Sequence, residues 1–535
     1  MYSYKFVILL GFLAGTVPST PVSAQKAAEL PGKVTEKQAR RNYYANQSAC
    51  IKPKVWAAGK NEAVLRACNA ALFRPSGVDE HWSKPSQIHQ QLAFLFYSDA
   101  RYPEALSALE DSDKLGEDRN DFLFDNSVKL GNNLLRALIF NKMGKQAEAF
   151  ALLDSLRKKR PYAISIIRRI EAVQNAIIGD PKQNFARMDG RLKLEPDLIQ
   201  YQMTLKIANG DLQAAYDLSN KVFVVDDPAE WGDESKLDPV YRQLSKKNEH
   251  ELLRAYLAAA ISHTAESERL IAKVKSDTTA YVGDDPQPEK PGGRVTKKQQ
   301  QAYDQRKKFG NWALDSIDRW ILAIKIRKDA ATLDGGTFLQ TIVKDRILHL
   351  PIGIDLRRQL KFADPTLKEA NDKGMAEIND IAQSVLSDIR SEDLQNIKIP
   401  AEYLDQVPKF GKSVIFKSAG YSQVADNYQG THLVRFKSFS ASQAMAEELA
   451  LRTAALITRE TGKDSFVIRA QKTITRTIQY YGARRDTLDS GYEIQLRITM
   501  LDANSDHSQW QDRIINAQTI LDHLEPQFTQ LRDEQ

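Results

Sequence analysis

Cys50 and Cys68 are the residues whose spacing most directly implies chemistry. Each stands nine residues from Gly59. If Gly59 turns an antiparallel helix pair, symmetric positions on the two arms face each other. Pro53 suits a first helical turn and puts Cys50 just outside the helix. A disulfide closing this loop stabilises the fold by about 3 kcal/mol in the chain-entropy model. Two buried free thiols are the alternative; no CxxC exists to favour a metal or redox role. Ser155-Leu156-Arg157-Lys158 satisfies SxxK without its companion motifs. Gly411-Lys412-Ser413 imitates the end of a phosphate-binding loop, but Gln406 occupies the position of the required glycine and a strand follows. Glu447 and Glu448 are adjacent on a helix, about 100° apart, and cannot form an acid pair. The histidines, His81, His89, His250, His263, His349, His432, His507 and His523, show no HExxH and no ligand-spaced cluster. No catalytic residue, cofactor site or metal set is assigned.

The elements that could position such groups must be found in 535 residues, with 75 Lys+Arg against 69 Asp+Glu, 42% apolar residues and a net charge of +6. This length allows about three domains. The composition excludes wholesale disorder, a disulfide-stapled miniature and a multi-pass membrane protein. The charge is small and dispersed, which argues against a nucleic-acid partner.

Residues 1–24 read as a signal peptide: Lys5 gives a positive start, Phe6 to Val17 an apolar stretch, and Val22-Ser23-Ala24 a small-x-small site cut between Ala24 and Gln25. An uncleaved anchor is the rival reading, but the stretch falls short of the ~20 residues that span a bilayer. No cysteine lies at the cleavage site to carry lipid. A periplasmic product is expected, extracellular being possible, with no integral membrane segment once the leader is removed.

A short phrase recurs. Ala58-Gly59-Lys60-Asn61-Glu62-Ala63 is echoed at Ala100 to Ala105, Met143 to Ala149 and Asn209 to Ala215, with a fainter copy from Gly179. The intervals Gly144 to Gly179 and Gly179 to Gly210 are 35 and 31 residues, bracketing the roughly 34-residue tetratricopeptide period. The earlier intervals, Ala63 to Ala105 and Ala105 to Ala149, are 42 and 44 and need inserted loops. Gly59, Gly144, Gly179 and Gly210 are the expected turns, each ending one helix before a small alanine opens the next. Lys158-Lys159-Arg160-Pro161 reads as a basic helix end before a proline stop. Over roughly residues 40–225 the chain resembles the tetratricopeptide family with degenerate units; a generic helical solenoid is the alternative. The resemblance implies stacked helical hairpins with a concave surface for a peptide or partner protein.

The expected organisation is a helical repeat region over 40–278, a polar linker over 279–308 and a helical continuation over 309–405. A ββαββ domain over 410–505 and a C-terminal helix over 506–535 complete it. In the linker, Arg294 to Lys308 holds six basic residues and Asp304, a solvated segment or a patch for peripheral envelope association. After residue 410 the period becomes strand-like. Strands are expected at 413–417 and 431–436, then a helix capped by Ser442 with Met445, Leu449, Leu456 and Ile457 on one face, then strands at 465–478 and 492–500. Glu448 and Arg452 are spaced for an ion pair. Gly420-Tyr421-Ser422, Val434-Arg435-Phe436, the helix 446–457 and Gly462 to Phe466 resemble a group of short bacterial envelope lipoproteins. That resemblance implies an envelope location and no activity.

The fold class is therefore mainly α, a tetratricopeptide-like solenoid followed by a small α+β domain and a helix. The expected function is a non-catalytic exported scaffold for a protein or peptide. A cell-envelope hydrolase with carboxylates dispersed along the chain is the alternative.

Overall fold

The computed structural model describes residues 35–51, 61–78, 83–117, 122–178, 190–222, 239–288, 293–329, 352–359, 420–425, 430–438, 441–481, 485–502 and 507–533, with isolated short stretches between 347 and 376. The chain divides into two compact units, Met1–Asp118 and Arg119–Gln535.

The first unit is two helix pairs, α1 (Glu36–Ile51) with α2 (Asn61–Leu72) and α3 (Ser83–Ser98) with α4 (Tyr102–Glu117). Cys50 and Cys68 are buried and disulfide-bonded, joining α1 to α2 with Cα atoms 4.7 Å apart. Ser86 and Ser112 bind reciprocally across α3 and α4: each hydroxyl donates to the other residue's carbonyl, at 2.9 and 3.0 Å. Short side chains let these helices approach, and both hydroxyls are satisfied where an unpaired one would be costly.

In the second unit α5 (Phe122–Asp125) leads to α6 (Val128–Lys142) and α7 (Gln146–Lys159), on which α8 (Ile164–Ile178) packs. Then come α9 (Leu198–Asn209) with α10 (Leu212–Ser219), and α11 (Pro239–Ala260) with α12 (Thr264–Val282). A long helix, α13 (Lys297–Asp329), packs against α11 and α12, and α14 (Gly353–Gln359) braces α9 and α13. The polar segment expected over 279–308 is therefore shorter: helix runs to Val282 and resumes at Lys297. Tyr303, Phe309 and Ala313 give the basic stretch an apolar stripe, which extends the helix across it.

One turn geometry recurs between paired helices. Ala100, Gly144, Gly210 and Ser262 adopt φ of +58°, +78°, +79° and +70°. In each case the next amide donates five residues back: Arg101 to Phe96, Lys145 to Phe140, Asp211 to Lys206 and His263 to Ala258, at 2.8–2.9 Å. This is a Schellman-type helix stop. Five residues after each left-handed position stands a small buried residue, Ala105, Ala149, Ala215 or Ser267, the three alanines at 0% exposure. The alanine of the phrase is thus the contact point of each pair. The turn at Ser262 has the geometry without the phrase, whereas Ala63 of the first copy is exposed. Ala100 and Ser262 bear the Cβ penalty of left-handed backbone. Ser262→Gly is expected to raise stability by about 1 kcal/mol, read as a higher urea midpoint at constant m-value.

The last part is an antiparallel sheet in the order β1-β2-β4-β3-β5. Its elements are β1 (Gly420–Ala425), β2 (His432–Ser438), α15 (Gln443–Glu460), β3 (Ser465–Tyr481), β4 (Arg485–Leu501) and β5 (Ile515–Asn516), followed by α16 (Ala517–Asp533). The expected strand at 413–417 lies outside the described residues; Gly420-Tyr421-Ser422, expected in a loop, begins β1. Strand β3 runs continuously, with bulges at Ile468/Ala470 and Thr475/Thr477. β2 pairs with β4 only from Tyr492 to Ile498, so Thr477–Tyr481 and Arg485–Asp489 pair with each other beyond the sheet. The tail is not one helix from Ser508: a 3₁₀ turn (Ser508–Arg513) and β5 precede α16.

Candidate functional site: the buried junction on α8

Helix α15 positions the most chemically capable groups of the second unit. Ser442 begins it, its hydroxyl accepting from the Met445 amide at 3.2 Å. The helix is buried on nearly every side, not on one face, because the sheet covers one flank while α8 and α16 cover others. The alanines at 444, 446, 450, 454 and 455 allow neighbours to approach all round.

This enclosure decides what Glu447 and Glu448 do. Glu448 receives the Arg160 guanidinium through two parallel bonds, Nε to Oε1 at 3.0 Å and Nη2 to Oε2 at 2.6 Å. Arg160 Nη1 donates to the Asn126 carbonyl at 2.8 Å. Both partners are removed from water, Arg160 at 1% and Glu448 at 2% exposure. Arg160 is thus the buried half of an ion pair, not merely a solvated basic helix end. The expected Glu448–Arg452 pair does not form; Arg452 holds Glu525 of α16 at 2.5 Å. Local spacing on one helix lost to longer-range partners because the helix is enclosed, and buried charges require their counter-ions at close range.

Glu447 takes a different partner. Its Oε2 accepts from both the amide and the hydroxyl of Ser165 at 2.9 Å, and its Oε1 from Gln443 Nε2 at 2.9 Å. Ser165 is the second residue of α8, so this carboxyl caps a helix start 282 residues away in sequence. Burial pushes the Glu447 carboxyl up, outweighing the downward pull of Ser165 and Gln443.

The rest of the junction is mostly apolar. Ile164, Ile167 and Leu194 share one core with Phe436, Leu449, Phe466, Ile494 and Phe528. Arg513 Nη2 donates to the Ile468 carbonyl at 2.6 Å and Nη1 to the Lys221 carbonyl at 3.3 Å. Trp510 lies against the Arg469 guanidinium at 4.3 Å and that of Arg513 at 5.5 Å. Burial, then repulsion from Arg513, lowers the Arg469 pKa to about 10.

Other buried carboxylates join elements too. Glu171 of α8 meets Arg157 of α7 at 3.1 Å and Arg191 at 3.0 Å. Burial raises its pKa against both cations. Arg191 also reaches Glu195 at 3.3 Å, which Arg168 holds as well. Asp355 of α14 accepts from Tyr256 at 2.6 Å and Arg327 at 3.0 Å, tying α11 and α13 together. Burial first, and Asp355 second, push the Tyr256 hydroxyl well up. Each of these carboxylates has an oxygen held by a cation or donor from another element, while Asp355 Oδ1 is buried without a hydrogen-bond partner.

Of the residues singled out from sequence, Cys50 and Cys68 are joined, and Gly144 and Gly210 occupy the left-handed turns. Arg358 approaches Gly210 so closely that a Cβ there would stand 2.6 Å from its Nη1. Ala24, Gln25, Gly59, Gly179 and the segment 411–413 lie outside the described residues. Ser155 is exposed, and Lys158 pairs with Asp154 at 2.7 Å. Among the described residues no three His, Cys, Asp or Glu converge as a metal-ligand set, and no helix is long and apolar enough to cross a membrane. Sequence reasoning missed Arg160 and Glu448 as partners; the available signal was the alanine-rich surround of the paired glutamates. Set against protein-family models, curated proteins and solved structures, the chain matches none.

Proposed function

We propose that this chain is a non-catalytic exported scaffold, periplasmic or beyond, that binds a protein or peptide along a tetratricopeptide-like helical surface. The observation that carries the reading is the repeated turn at Ala100, Gly144, Gly210 and Ser262 with its buried small residue five positions on. Such repetition builds stacked hairpins, whose extended surfaces hold partners. The disulfide adds support for export, because bonds of this kind persist in oxidising compartments. The buried carboxylates support a structural role, since each is committed to holding two elements together. The sheet module then acts as a cap built onto the helices, in line with its resemblance to small envelope proteins.

Cross-linking in intact cells, followed by mass spectrometry, tests this reading. A reproducible protein partner whose cross-links map to the paired helices is expected. Turnover of isolated cell wall by the purified chain, with no protein partner recovered, would sink the scaffold in favour of an envelope hydrolase.

A further inference from the structure

The long helix α13 carries a feature the scaffold does not use. Residues on a helix advance about 100° each. Lys298, Gln301, Gln305, Lys308, Trp312 and Arg319 therefore fall within a sector about 80° wide and roughly 32 Å long. Lys297 adjoins this stripe and Arg294 precedes it. All but the half-buried Arg319 are exposed. Away from it, Tyr303, Gly310, Ala313 and Ile317 are buried.

Trp312 is a large aromatic left 46% exposed. Its ring sits against Phe309 at 5.4 Å, and Phe309 stacks on Tyr241 at 4.6 Å. The indole thus rests on a fixed aromatic base, with the Lys308 ammonium 5.1 Å from its centroid. Val240, beside Tyr241 in the chain, is also exposed.

The lysines add a second, independent observation. Among the described residues no carboxylate lies in ion-pair range of Lys297, Lys298 or Lys308. Two acids flank the stripe, Asp304, which accepts from Gln300 at 2.9 Å, and Asp315. Even so, Lys298 and Lys308 on the stripe and Lys297 beside it have no carboxylate partner among the described residues, and Lys308 adjoins a supported indole.

We propose that this face of α13 docks on an anionic phospholipid bilayer, with the lysines at the phosphates and Trp312 in the interfacial layer. Indole rings favour the headgroup level, where one side is apolar and the other wet. Basic residues near an anionic surface add comparable increments, so several together give binding that salt weakens. A soluble polyanion would meet the same lysines but offers no apolar layer for Trp312.

The test is flotation of the full chain with phosphatidylcholine vesicles, with or without phosphatidylglycerol, at low and high salt. Binding to the anionic vesicles should exceed that to neutral ones by at least about tenfold and fall with salt. K297E/K298E/K308E should lower it by about tenfold or more, and Trp312→Ala by a smaller factor, with circular dichroism unchanged. Equal binding to both vesicle types overturns the proposal. So does a triple variant that floats like the parent, or retention on immobilised polyphosphate with no flotation.

Discussion

Arg160→Ala is expected to destabilise the second unit by about 3–5 kcal/mol, because it strands the Glu448 carboxylate in a site built for an ion pair. Both oxygens of Glu448 are bound by that one guanidinium, and the enclosure by α8, the sheet and α16 leaves no route to water. Glu448→Ala should cost a similar amount, since the buried Arg160 guanidinium would lose both of its bonds to that carboxylate. The informative variant is the pair: Arg160→Met with Glu448→Leu should recover most of the loss, because desolvating two charges offsets much of what their attraction returns. Urea unfolding of the two single variants and the double one gives the coupling directly. If the single variants lose under about 1 kcal/mol, the guanidinium and carboxylate are in contact with water and the junction is not sealed.

The second large effect concerns the first unit. Replacing Cys50 and Cys68 by alanine should cost it about 3 kcal/mol, the loop entropy released when an 18-residue closure is removed. A reductant should act in the same direction on the unaltered chain and leave the double variant unchanged. Alkylation of the denatured, unreduced protein should leave its intact mass unchanged; two added alkyl groups would show free thiols.

Locally encoded features were legible in the sequence. Ala105, Ala149 and Ala215 mark the close contacts of three helix pairs because the turn, the helix start and the small residue lie within six positions. Ser262 shows the limit: the same backbone turn is reached with a residue that pays a steric cost, and a search for glycine passes over it. Helix α15 is legible from its Ser442 cap to the stop at Gly462, whereas its surroundings are not. Met445 and Leu449 suggest one buried face, whereas the alanines between them permit burial on every side. From that followed the misassigned partner of Glu448, since spacing on a helix ranks only local neighbours. The reach of the β3–β4 hairpin was likewise hidden. Alternation carries the first strand to Ile478, but Arg485–Asp489 gives no such signal, and cross-strand pairing is what shows the second strand beginning there.

The separation of 288 residues between Arg160 and Glu448 bears on how the protein assembles. Helices α6 to α8 close through near neighbours and can form early, but the apolar side of α8, with Ile164 and Ile167, gains its cover only when residues past 430 arrive. Contacts this remote are slow to close. During synthesis an early-formed α8 would present an oily ridge with an unanswered positive charge beside it. Folding that waits until the full length is present would spare the protein that exposed intermediate.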